Sequence, residues 1–160
     1  MNKKNFYTIA KEKFKFLESE YGFKLSKHKR HDWGYELIYL NNTTGVKVIY
    51  EYGEAYIFIM LYKLNNGKLP EMPIQIDNST ILYGYGLDDL ILHRNPNAII
   101  KPAYEYGEQS VYYDKEMGLS LYISAFAKNL EEYAIDILKG DFAIFPELDK
   151  IVKQRVRQYS

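Results

Sequence analysis

Val46-Lys47-Val48-Ile49-Tyr50-Glu51-Tyr52-Gly53-Glu54-Ala55-Tyr56-Ile57-Phe58-Ile59-Met60-Leu61 reads as two strands folded around a tight turn. Apolar and aromatic residues dominate both halves, and Gly53-Glu54 sits between them. A glycine first in a two-residue loop suits a type II′ hairpin. That register sets Tyr52 opposite Ala55, Tyr50 opposite Ile57, Val48 opposite Ile59 and Val46 opposite Leu61. Every residue in this set is apolar or aromatic, so it forms the core face of a sheet. The other face carries Lys47, Ile49, Glu51, Tyr56, Phe58 and Met60 and is only half polar.

The same period of two extends outward from the hairpin. Residues 35–40 read as a strand, and Asn41-Asn42-Thr43-Thr44-Gly45 as the turn that joins it to the hairpin. Residues 23–29 add a first strand, which makes an antiparallel meander of three to four strands. Before it, residues 3–21 form one amphipathic helix, with Phe6, Ala10, Phe14, Leu17 and Tyr21 along one stripe. Gly22 ends that helix in a left-handed conformation, and Phe23 folds back on Leu17.

After the hairpin the pattern weakens. Residues 63–81 hold Gly67, Pro70 and Pro73 and read as loop, with a short extended piece at Pro73–Ile76. Tyr83-Gly84-Tyr85-Gly86 reads as a flexible turn. Leu87 to His93 reads as a short helix with Asp88 and Asp89 in its first turn, where the helix dipole favours them. Residues 97–113 show no decisive period. Asp114 caps a helix to about Leu138, buried through Leu119, Tyr122, Phe126, Leu130, Tyr133 and Ile137, and Gly140 closes it. Pro146 opens a last helix. An N-terminal helix, a meander, then C-terminal helices packed on one face define an α+β domain, with residues 1–160 as a single domain.

Composition narrows the function classes. The 160 residues are 47% hydrophobic and 26% charged, with no cysteine and a formal net charge of zero. The apolar content is too high for a disordered chain. Absence of cysteine favours a reducing compartment. The Lys-rich start lacks the apolar segment of a signal peptide, and no apolar run is long enough to span a bilayer. A cytoplasmic protein without membrane association is expected. Seventeen tyrosines against one tryptophan fit the coding bias of an AT-rich genome, or a tyrosine-enriched binding surface. The basic residues gather at the ends of the chain and the acidic ones in the middle.

Candidate chemistry is sparse. His28 and His31 stand three apart, but Lys29 and Arg30 between them repel a cation, so no metal or organic cofactor is expected. Asp88, Asp89 and His93 could serve as acid–base groups of an enzyme or a small-ligand site, since Asp89 and His93 share a helix face. The segment containing Tyr83 and Tyr85 lacks both the lysine and the spacing of a nucleotide loop. Lys24, Lys27, Lys29 and Arg30, with Trp33 and Tyr35, mix cations and aromatics as single-stranded nucleic-acid sites do. The overall pI near 6.8 argues against that use. Tyr83, Tyr85, Asp88 and Asp89 read equally as a surface for a cationic protein, with tyrosines supplying affinity and carboxylates speeding encounter, or as core tyrosines followed by aspartates that only steady the helix.

The layout also carries a resemblance. Phe16-Leu17-Glu18-Ser19-Glu20-Tyr21-Gly22-Phe23 closes the first helix. A tyrosine-rich meander follows, and Ile137-Leu138-Lys139-Gly140-Asp141-Phe142 and Phe145-Pro146-Glu147-Leu148 precede a basic helix. In these features the chain resembles small, mostly uncharacterised bacterial proteins, some encoded beside polymorphic toxins as immunity proteins. The resemblance implies a non-enzymatic, stoichiometric protein binder whose partner is a toxin domain, and the acidic middle of the chain suits a basic one. The matching residues are helix stops, caps and core aromatics, so no site residue is carried over.

Overall fold

A computed structural model describes residues 5–159. Five strands form one antiparallel sheet in sequence order: β1 (Lys24–Arg30), β2 (Gly34–Leu40), β3 (Thr44–Glu51), β4 (Tyr56–Lys63) and β5 (Gly84–Gly86). The α+β class and the meander are as the residue pattern implies. The central register is too, with Val46 opposite Leu61, Val48 opposite Ile59 and Tyr50 opposite Ile57. All six are buried, and β2 adds Leu37 and Tyr39 to the same face.

The hairpin turn differs in detail. Tyr52–Ala55 closes with Ala55 N–H donating to Tyr52 O at 3.4 Å, but the left-handed residue is Ala55 (φ 47°) and not Gly53. A type II′ turn needs positive φ at its first central residue, so that assignment is corrected. The loop at 63–81 contains a bend and no strand at Pro73–Ile76.

Two helices expected as continuous are each broken. The first comprises α1 (Phe6–Lys13) and α2 (Phe16–Tyr21); residues 3 and 4 of the expected span lie outside the described residues. Lys15 N–H bonds Glu12 O and Leu17 N–H bonds Phe14 O, both i to i+3 contacts that tighten the chain at Phe14-Lys15. Phe14 and Phe16 would point to opposite sides of a straight helix. The break lets Phe14 and Leu17 bury fully while Phe16 packs against the core margin. Gly22 (φ 72°) ends α2, and Phe23 N–H returns to Leu17 O at 3.0 Å, as the sequence indicates.

The second broken helix comprises α4 (Gly118–Tyr133) and α5 (Ile135–Leu138), which follow α3 (Leu87–Arg94). Asp114 does not cap α4 itself, whose first residue is Gly118 and whose preceding Met117 makes no side-chain cap bond; it closes the turn before the helix by accepting the N–H groups of Glu116 and Met117. At the break, Arg94 of α3 donates to the Tyr133 carbonyl and makes a two-pronged pair with Asp136 at 2.9 and 2.7 Å. One guanidinium thus satisfies the end of α4 and the start of α5. The last helix, α6 (Phe145–Gln158), begins beside Pro146 as expected.

The helices lie on the core face of the sheet. Phe126 and Tyr122 of α4 stack edge-on, and Phe126 meets Tyr56 of β4. Phe145 of α6 meets Tyr85 of β5. One contiguous apolar core runs from Phe6 to Leu148.

Candidate functional site

Tyr83-Gly84-Tyr85-Gly86 is not a loop. Gly84–Gly86 is the fifth strand, paired with Met60, Leu61 and Tyr62. A Cβ at Gly84 would lie 2.3 Å from the Tyr62 ring, so the glycine permits a close approach within a strand. Tyr85 is buried, and its hydroxyl donates to Asp149 Oδ1 of α6 at 2.8 Å. Tyr83 alone of the pair is offered to solvent, 40% exposed.

The carboxylates that follow are engaged within the fold. Asp88 accepts a hydrogen bond from the Tyr56 hydroxyl, and Asp89 pairs with Arg155. His93 is exposed and, among the described residues, bonds neither aspartate. Asp88, Asp89 and His93 are therefore on one helix but do not converge on a reacting position. Burial pushes the Asp88 carboxyl above the usual range; the Tyr56 bond opposes this and the Asp89 charge adds to it. A carboxyl with a raised native value contributes stability at low pH that is lost as pH rises through that value. Asp88→Asn is therefore expected to be more favourable to stability near pH 7 than near pH 3. Urea midpoints of both proteins at the two pH values check this; an equal difference at both would show that Asp88 titrates normally.

The histidines also separate. His28 stacks on Tyr7 (4.4 Å) and bonds the Tyr35 hydroxyl, on the helix-covered side of β1. His31 lies in the β1–β2 turn, stacked on Trp33 and bonded to Glu36 at 3.1 Å. Among the described residues no group of three or more His, Cys, Asp or Glu could hold a metal ion. No helix among them is long and apolar enough to cross a membrane.

A more developed surface lies where the sequence shows no period. Residues 96–113 form three short 3-10 turns, at Pro96–Ala98, Ala103–Tyr106 and Val111–Tyr113. Ala103 N–H donates to Ala55 O at 3.1 Å, which fastens this segment to the hairpin tip. Between them opens a cleft of about 770 Å³. Tyr50, Tyr52, Ala103 and Leu119 line it together with Asn5 and Ile9, and so do Tyr112, Tyr113, Asp114, Lys115 and Glu116, two carboxylates against one lysine. Tyr112 is wedged between Tyr106 and Tyr122, each ring pair 5.1 Å apart. Burial, then the neighbouring Tyr106, raises the Tyr112 phenol, so it stays a neutral hydroxyl at any physiological pH.

The segment exposes Tyr104, Tyr106, Val111, Tyr113 and Met117, of which Tyr113 lines the cleft. Glu105, Glu108, Asp114 and Glu116 outnumber Lys101 and Lys115 there, and Glu51 and Glu54 flank the hairpin tip. Trp33, the sole tryptophan, is 49% exposed, and its carbonyl accepts from Tyr52 N–H beside that tip. The signal available in the sequence was the spacing of Tyr104, Tyr106, Tyr112 and Tyr113 among four carboxylates.

The fold and this cleft define a class: an α+β domain that presents a tyrosine-lined, acid-rimmed surface at the turn end of its sheet. Comparison with protein-family models, with curated proteins and with solved structures returns no match to this chain. The immunity-type resemblance thus rests on the quoted residues alone.

Proposed function

We propose that the protein is a stoichiometric binding module of the toxin-immunity kind, which occupies a basic protein partner in the cytoplasm. The observation that carries this reading is the cleft between the hairpin tip and residues 103–117. Tyrosines are over-represented where binding energy concentrates, because they bury much area with few rotatable bonds. Carboxylates on the rim favour a cationic partner and speed its approach. The cleft, about 770 Å³, has room for a side chain projecting from such a partner. Tyr83 is the one residue of the 83–89 segment free to join a contact. Tyr85, Asp88 and Asp89 serve the packing of β5, α3 and α6.

The test is titration calorimetry against the products of the genes adjacent to its own, a toxin-like reading frame among them being the expected partner. Tyr113→Ala with Glu116→Gln, both on the cleft and exposed, is expected to weaken binding at least about tenfold, a change of about 1.4 kcal/mol. Raising salt from 50 to 300 mM should slow association. If the double variant folds and binds like the wild type, the surface is misplaced. If the wild type shows no affinity for any of those products, the immunity reading itself fails.

A further inference from the structure

We infer that the outer edge of β1 is a docking site for an extended, acidic segment of a protein, which adds to the sheet as a sixth strand. This does not rest on the reading of the tyrosine cleft, whose partner is basic. β1 is an edge strand of seven residues, paired only with β2. Six of the seven are exposed, and Leu25 is half-buried. Among the described residues nothing lies against its free side as a further strand.

The ladder shows which backbone groups that side presents. His31 and Gly34 exchange hydrogen bonds at 2.8 and 3.4 Å at the end of the β1–β2 pair. Antiparallel pairs alternate between bonded and non-bonded positions. The Arg30–Tyr35 and His28–Leu37 pairs are therefore the non-bonded ones. The N–H and C=O groups of His28 and Arg30 point away from β2 and stand ready for an incoming strand.

Charge selects the occupant. Lys24, Lys27, Lys29 and Arg30 line β1, and none pairs with a carboxylate among the described residues. Lysines on an edge guard against edge-to-edge association. Here they repel a second β1 while leaving the edge open to a strand of opposite charge. Strand addition takes its affinity from main-chain bonds and its selectivity from side chains. Nucleic acid fits less well. The neighbouring sheet position holds the Glu36 carboxylate opposite Lys29, and one face of Trp33 is already stacked on His31.

The probe is a capped octapeptide of alternating Glu and Val, titrated into the full chain with amide exchange as readout. Binding should slow exchange at His28 and Arg30 and leave the β3 amides unchanged. Arg30→Pro removes one outward N–H and should weaken binding at least tenfold; Arg30→Gln, which keeps it, should lose under threefold. Proline is tolerated at such outward positions of an edge strand. Should Arg30→Pro not fold, the same peptide N-methylated at every residue, which removes the N–H donors of both its edges, tests the same bonds against the wild type and should not bind. Three results would overturn the inference: no peptide binding, equal binding of the methylated peptide, or an oligothymidylate that binds in preference and displaces the peptide.

Discussion

Ile59→Ala is expected to destabilise the protein by about 2–5 kcal/mol, the range for truncating a buried aliphatic residue. Ile59 is 4% exposed and lies on β4, the strand that pairs with β3 on one side and β5 on the other. Its cross-strand partner Val48 is fully buried. The side chain thus loses both apolar burial and its packing partners when it is cut back, and the strands around it are held by ladders that limit collapse into the void. Urea denaturation followed by circular dichroism measures the loss. A value below about 1 kcal/mol would mean that the centre of the sheet tolerates a cavity, which the close packing of its core face does not allow.

What could be read from the sequence follows from how each element is stabilised. The β3–β4 hairpin was legible because its two strands alternate and its paired face is wholly apolar. The stop at Gly22 was legible because a left-handed residue there excludes most side chains. β5 was not legible, because glycine is a poor strand former. Gly84 is in the sheet since the Tyr62 ring occupies the place of its side chain, a tertiary reason that no local pattern carries. The break between α4 and α5 was hidden for a similar reason: Arg94, some forty positions away, supplies the bonds that make it possible. In the sequence Asp88 and Asp89 suit a binding surface because they follow two tyrosines within the acidic middle of the chain. Their partners, Tyr56 and Arg155, come from β4 and α6, and only folding brings them near. Residues 103–113 resisted reading because turns of three and four residues are too short to show a period of two or of 3.6. Their tyrosines were visible as composition but not as a surface.

Gly118→Ala is expected to lower stability by about 1–3 kcal/mol and to weaken partner binding together with it, although it removes no side chain. Gly118 opens α4, and a Cβ there would lie 2.3 Å from the carbonyl oxygen of Tyr112. The obstacle is backbone, so no rotamer change relieves it. Either α4 or the turn at Val111–Tyr113 must move. That helix is anchored by Tyr122, Phe126 and Leu130 in the core, whereas the turn is held by the Ser110 cap on Tyr112 N–H and by the ring contacts of Tyr112. The turn is the weaker side and yields. Tyr112 then leaves its place between Tyr106 and Tyr122, and the wall of the cleft shifts with it. Thermal melts give the stability change, and titration with the partner gives the affinity at a temperature where the variant remains folded. Exchange of the Tyr112 and Tyr113 amides locates the change: it should accelerate there and remain slow in β3. A variant that is destabilised yet binds with wild-type affinity would separate this turn from the binding surface and move the contact to the Trp33 side of the hairpin tip.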